Sequence, residues 1–212
     1  MKIAFLFYEG MTALDAVGPH EILSRLPEAQ VFRVAKIAGP VRTDSGLILT
    51  ADHPLSAITQ ADILFIPGAG SATTMRNHPE VLDWVRSIHK TTTWTTSVCT
   101  GSLILGASGI LKGLRATSHW AALDRLKLWD AVPVEARIVE DGKVMTAAGV
   151  SAGIDMALTL TAKIAGSQFA KSMQLGIEYD PQPPFDEGSP RKADPTLCKA
   201  LKSRMVAAFE EV

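Results

Sequence analysis

Cys99 stands in Ser97-Val98-Cys99-Thr100-Gly101, between a β-branched run and an apolar run with helical character. A small polar segment between strand and helix forces a sharp turn, and a Cys there carries its sulfur off the end of the sheet. The sulfur then lies beside the unpaired N–H groups of the following helix. This is the pattern of a nucleophile elbow, with Cys in place of the usual Ser and Gly101 leaving room for the turn. Because a helix N-terminus favours an anion, the thiol is expected to ionise more easily there than in water. The competing reading of any free Cys is a small buried hydrophobe. That reading is taken for Cys198, which has no such turn beside it.

Three further groups could serve a nucleophile. Pro67-Gly68-Ala69-Gly70 follows a buried strand and precedes Ser71-Ala72-Thr73-Thr74. Its small residues let backbone N–H groups approach a reacting atom, so Gly68, Ala69 and Gly70 are candidates for an oxyanion-type cradle; the competing reading is a plain tight turn. A phosphate loop is not expected, since GxxxxGK[ST] and a following Lys are missing. Asp15 lies in a mostly apolar helical stretch after the first strand, where a carboxylate needs solvent or partners. It is either a helix-face or capping residue, or an acid or base near Cys99. His119, followed by Trp120, is a possible imidazole partner for the thiol, or else a core or helix-start residue. The remaining histidines show no metal-ligand spacing with Cys or with one another, so neither a metal site nor a cofactor is expected.

The elements that must position these groups follow from periodicity. Ile3 to Phe7 and Ile63 to Ile66 are continuous apolar runs, as in strands buried on both faces. Further strands are expected over Val31–Ile37, Leu47–Thr50, Thr93–Val98 and Arg115–Ser118. A hairpin is expected over Arg137–Thr146 with Asp141-Gly142 as its turn. Helical patterns cover Met11–Leu26 (with a kink expected at Gly18-Pro19), Pro79–His89, Gly101–Leu111, Trp120–Leu128, Ser151–Ile164 and Gln168–Tyr179. Alternating strands and helices predict an α/β fold, a doubly wound, mainly parallel sheet with helices on both faces, in which sites form at the carboxyl ends of the strands. The expected organisation is one domain over residues 1–212, with an irregular Pro-rich tail at 180–195 and a C-terminal helix at 196–209. Of the 212 residues 47% are hydrophobic and 20% charged, and the net charge is −1, which leaves no basic excess for a nucleic-acid partner. The opening apolar run is too short for a signal peptide, and no stretch approaches the ~20 apolar residues of a membrane span. Two distant cysteines make no disulfide framework. A cytoplasmic location is expected, with a small-molecule substrate and no membrane partner.

Ser97 to Ser102, Gly106-Ala107-Ser108-Gly109-Ile110-Leu111 and Arg115-Ala116-Thr117-Ser118-His119-Trp120 together resemble the PfpI-type branch of the class I glutamine amidotransferase-like superfamily, which has a flavodoxin-like fold. Within it the chain is similar to the bacterial isonitrile (isocyanide) hydratases. Leu14 to Pro19, Ile66 to Gly70, Ala152-Gly153-Ile154-Asp155 and Glu178 to Phe185 extend the resemblance over most of the chain. The Cys-Thr-Gly and His-Trp motifs also occur in related domains fused to AraC-type regulators. The resemblance implies that Cys99 is the nucleophile, that Asp15 lies near it, that Thr100 supports activity, and that the protein is a homodimer. Thr100 stands where the branch's peptidases carry His, which argues against a Cys–His dyad, and Gly68-Ala69 replaces the usual Gly-Gly turn.

Hydration of an isonitrile needs a soft nucleophile at the terminal carbon and a proton delivered to that same carbon. An ionised Asp15 beside Cys99 disfavours the thiolate, so the two are expected to share a proton, with the helix N-terminus supporting the thiolate. Two alternatives stand beside this reading. One is a glyoxalase- or deglycase-like enzyme forming a hemithioacetal, although relatives with that chemistry usually carry Glu on the first helix. The other is a non-catalytic module that senses oxidation or a ligand through Cys99.

Overall fold

The computed structural model describes residues 1–70 and 78–210, so Ser71 to Thr74 lie outside the described residues. Its strands are β1 (Lys2–Leu6), β2 (Gln30–Ala35), β3 (Gly39–Arg42), β4 (Ile48–Ala51), β5 (His53–Pro54), β6 (Ile63–Ile66), β7 (Trp94–Val98), β8 (Arg115–Ala116), β9 (Val132–Pro133), β10 (Ile138–Asp141) and β11 (Val144–Ala147). Its α-helices are α1 (Ala13–Leu23), α2 (Pro79–Thr91), α3 (Gly101–Ala107), α4 (Ala152–Ala165), α5 (Ser167–Gly176) and α6 (Pro195–Glu210).

Seven strands form one sheet in the order β10-β11-β7-β6-β1-β2-β5. Every pairing in it is parallel except the β10–β11 hairpin. The path from β1 through α1 to β2 and the path from β6 through α2 to β7 run in opposite directions along the sheet. Right-handed crossovers therefore put α1 and α2 on opposite faces. Accordingly α1 packs on α4, and α2 packs on α3. Ile3 to Leu6 and Ile63 to Ile66 are at most 1% exposed, as their unbroken apolar pattern requires, and the Phe5 and Phe65 rings stack across β1 and β6 at 4.6 Å.

Several expected elements take a different form. Pro19 lies inside α1 without dividing it into two helices. The helix after the elbow stops at Ala107, where Ser108 turns its hydroxyl back onto the Ile104 carbonyl at 2.8 Å and Gly109 takes a positive φ. Leu123–Trp129 is a 3-10 helix rather than α. The short strands at Gly39–Arg42, His53–Pro54 and Val132–Pro133 each contain a Pro that hides them from propensity; pairing with a neighbouring strand supplies what local preference does not. The segment after Tyr179 runs without strand or helix as far as α6.

The elbow closes because β7 and the β6 turn touch through backbone. A Cβ on Gly101 would lie 2.4 Å from the Ile66 carbonyl oxygen and 2.8 Å from that of Pro67. Backbone cannot yield at such distances, so Gly101→Ala is expected to destabilise the protein by at least about 2 kcal/mol. A fall in midpoint of several degrees in thermal unfolding checks this; an unchanged midpoint would show that the elbow has room to spare.

Candidate active site

Four strand ends meet at one point on the carboxyl edge of the sheet: Tyr8 after β1, Pro67 to Gly70 after β6, Cys99 after β7, and Gly149-Val150 after β11. Cys99 has a positive φ of 57°, a left-handed conformation that costs a non-Gly residue free energy and recurs at functional turns. Its backbone is held from both sides. Its N–H donates to the Ala148 carbonyl at 2.9 Å, and its carbonyl accepts from the Ser102 and Ser118 hydroxyls, each at 3.1 Å. The residue is 5% exposed.

Asp15 is fully buried on the first turn of α1. Its Oδ2 accepts the Gly68 N–H at 2.8 Å, while Oδ1 is buried with no nitrogen or oxygen partner. Burial, the largest cause, raises its pKa from 3.8 to about 7; the Gly68 N–H and the Cys99 thiol lower it, and Asp44 raises it. The Cys99 thiol is itself pushed well above its ordinary range, first by burial and then by Asp15. The N–H groups of Val150 and Thr100 and the Thr100 hydroxyl favour the sulfur anion but do not prevail. This reverses the expectation that the helix N-terminus makes the thiol easier to ionise. The helix has seven residues, and its terminus is outweighed by desolvation and a neighbouring carboxylate. The two groups therefore titrate as a pair.

Thr100 is 2% exposed. Its Oγ accepts from the Ala69 N–H at 2.8 Å and donates to the Ala69 carbonyl at 2.9 Å, fastening the β6 turn to the elbow. Of the three residues expected to form an oxyanion-type cradle, Gly68 gives its N–H to Asp15 and Ala69 gives its N–H to Thr100. The turn serves as a scaffold for the acid and the threonine. Gly68 is required for this, since a Cβ there would lie 2.6 Å from the Thr100 nitrogen and 2.8 Å from the Cys99 Cβ. Gly70 is exposed.

For His119, no hydrogen bond to the thiol is found among the described residues. Its Nδ1 accepts the Ala121 N–H at 3.2 Å, and burial lowers its pKa to about 4, so it is neutral at ordinary pH. The ring packs beside Trp120 with centroids 5.5 Å apart. Both residues line a cavity next to the elbow. Among the described residues no group of His, Cys, Asp and Glu could hold a metal ion.

Three contributors carry no sequence motif. The Tyr8 hydroxyl donates to the Pro67 carbonyl at 2.8 Å. Burial and then Asp15, Cys99 and Asp44 keep it a neutral phenol. Asp44, at the end of the β3–β4 hairpin loop, accepts the Thr12 hydroxyl at 2.5 Å at the start of α1. Val150 presents its N–H to the Cys99 sulfur from a φ of 26°, unusual for a β-branched residue. Only Tyr8 had a signal, its place at the carboxyl end of a central strand.

The DJ-1/PfpI family model matches residues 1–163. The chain is 40% identical to the isonitrile hydratase of Pseudomonas putida over 210 residues, 99% of this chain and 92% of that protein. It is 30% identical to the HTH-type transcriptional regulator CdhR of Pseudomonas aeruginosa, over 78% of this chain and 51% of the regulator. The crystal structure of a ThiJ/PfpI family protein from Pseudomonas syringae superposes with a TM-score of 0.95 at 38% identity, covering 97% of this chain and 86% of that one.

The raised pKa of Asp15 has a consequence for stability. The native state retains a proton that the unfolded chain releases at the ordinary value of 3.8, and gives it up only near 7. Stability therefore falls as pH rises from about 4 to about 7, by at most roughly 4 kcal/mol. Asp15→Asn should remove this dependence and melt higher than wild type at pH 8. Parallel melting curves for the two proteins between pH 5 and 8 would contradict it.

Proposed function

The chain belongs to the DJ-1/PfpI family, and we propose that it hydrates isonitriles (isocyanides) to N-substituted formamides through a Cys99 thioimidate, with Asp15 as acid and base and Thr100 in support. The observation that carries the reading is a buried carboxylate and a buried thiol interacting directly, with the Asp15 pKa near 7. Isonitrile hydration asks for that pair: a sulfur nucleophile, and an acid that can reach the carbon it attacks.

Loss of one proton from the fully protonated pair opens the reaction. With that charge moved to sulfur, where the Val150 and Thr100 N–H groups receive it, Asp15 holds the remaining proton. Sulfur attacks the terminal carbon, Asp15 protonates the same carbon, and the product is the thioimidate R–N=CH–S–Cys99. Asp15, now a carboxylate, takes a proton from water as its oxygen adds to the carbon. Collapse of that adduct breaks the C–S bond. Of the two protons from water, one ends on nitrogen and the other returns to the Cys99–Asp15 pair, so R–NC and water become R–NH–CHO and the enzyme is restored.

We also propose a homodimer. Leu14 and Val17 on α1 are 45% and 43% exposed, and Leu47 and Ile48 beside β4 are 52% and 51% exposed. Val17 and Leu49 line one crevice, so α1 and β4 lie side by side at this surface. A cytoplasmic location suits a nucleophile that must stay reduced. Cys99 and Cys198 are both free, and among the described residues no helix is long and apolar enough to cross a membrane.

Formamide should form from an aryl or alkyl isocyanide with wild type and fall to background with Cys99→Ala, while methylglyoxal is not consumed. Consumption of methylglyoxal alone would favour the carbonyl reading. Asp15→Asn should lose at least about a hundredfold in kcat/KM. Because the fully protonated pair has no thiolate, kcat/KM should rise with pH through an apparent pKa near 7. A profile flat from pH 5 to 9 would remove the shared proton from the mechanism.

A further inference from the structure

Two conspicuous parts of the sequence have no task in the chemistry above: Asp155 in Ala152-Gly153-Ile154-Asp155, and the Pro-rich tail that begins with Glu178-Tyr179-Asp180-Pro181. The structure joins them. The Tyr179 hydroxyl donates to Asp155 Oδ1 at 2.8 Å, and Asp155 Oδ2 is ion-paired with Arg137. From Tyr179 the tail crosses to the loop before β10, where the Arg191 guanidinium pairs with Glu135 at 2.9 Å. At this second end, Gly188 to Arg191 form one wall of a cavity of about 430 Å³.

Trp120, Leu123, Ala136 and Val150 line this cavity, and Pro190 and Arg191 line it from the tail. It adjoins the nucleophile. Val150 gives its N–H to the Cys99 sulfur, and Ser118, another lining residue, donates its hydroxyl to the Cys99 carbonyl. Both guanidinium groups at the cavity, Arg137 and Arg191, already have carboxylate partners, so no unbalanced charge recruits an ionic ligand.

We propose that the end of the Tyr179–Arg191 strap, Gly188 to Arg191, facing Trp120, Leu123, Ala136 and Val150 across the cavity, builds the site for the nitrogen substituent of the isonitrile and selects an uncharged, ring-bearing one. The inference rests on the hydratase reading. A cavity of about 150 Å³ already holds a benzene ring, and the volume beside the elbow, about 430 Å³, accommodates a fused pair. The linear R–N≡C unit puts its carbon and its substituent at opposite ends of a rod, so a substrate with its carbon at sulfur needs a receptacle for the other end. The strap lies beyond residue 163, where the family-wide match ends. It is thus a part on which substrate choice can depend without alteration of the elbow common to the family.

The test compares 2-naphthyl isocyanide with methyl isocyanide as substrates, measuring formamide production by wild type, Ala136→Phe, and the double variant Pro190→Gly with Arg191→Ala. Ala136→Phe fills the cavity. It should cut kcat/KM for the naphthyl substrate at least about tenfold, through KM, while the methyl substrate stays within about twofold. The double variant opens the strap wall and should move the naphthyl KM in the same direction, by about fivefold, with the methyl kcat unchanged. A merely structural role would shift both substrates equally and lower the melting temperature. Turnover of both substrates with an unchanged naphthyl-to-methyl ratio in both variants overturns the strap assignment alone. No formamide from either substrate with wild type overturns the hydratase reading and this inference with it.

Discussion

Backbone meets backbone between the turn after β6 and the elbow after β7, and the other features of the site depend on that approach. Gly68 lies where any Cβ would strike the Thr100 nitrogen, and Gly101 where any Cβ would strike the Ile66 carbonyl. With both side chains absent, Thr100 reaches the Ala69 N–H and carbonyl, and the Gly68 N–H is delivered to Asp15. The same contact places the carboxylate beside the thiol. Two adjacent parallel strands supply the frame, since β6 and β7 pair from Ile63–Trp94 to Ile66–Ser97 and their carboxyl ends leave the sheet side by side.

Burial then determines what this geometry can do. Asp15 and Cys99 are each held in a dry setting that disfavours charge; Asp15 makes the thiol harder to ionise, while the neutral thiol, as a hydrogen-bond donor, eases the ionisation of Asp15. The single Gly68 N–H on Oδ2 only partly compensates, and Oδ1 is left without a nitrogen or oxygen partner. A carboxyl that titrates near neutrality can both give and take a proton, which is the property a hydration at carbon requires. The cost is stability at neutral pH, a trade often met where a site stores strain or unsatisfied polarity.

Much of this was legible in the chain. The apolar runs at Ile3–Phe7 and Ile63–Ile66 point to central parallel strands, and Ser-Val-Cys-Thr-Gly between strand and helix points to an elbow, because those patterns arise from local sterics and from burial on both faces. Tyr8 and Val150 were not read as site residues. Tyr8 looks like a turn residue until β1 and β6 pair and bring it to Pro67. Val150 looks like the start of a helix until the end of β11 delivers its N–H to the sulfur. His119 went the other way: it is a plausible base in the sequence, yet in the fold it is a neutral ring bonded to the Ala121 N–H.

The sheet's central strands, the elbow and the residue types that could react follow from periodicity and from turn stereochemistry over a few residues, and so could be read from the chain alone. Tertiary structure decided the protonation of those residues and their partners. A pKa depends on what surrounds a group in space, and residues far apart in the chain supply those surroundings: Gly68 for Asp15, Val150 for Cys99, and the strap for the cavity beside them. Local helix-terminus logic gave the wrong sign for the thiol because burial and a carboxylate from another helix outweigh a seven-residue helix.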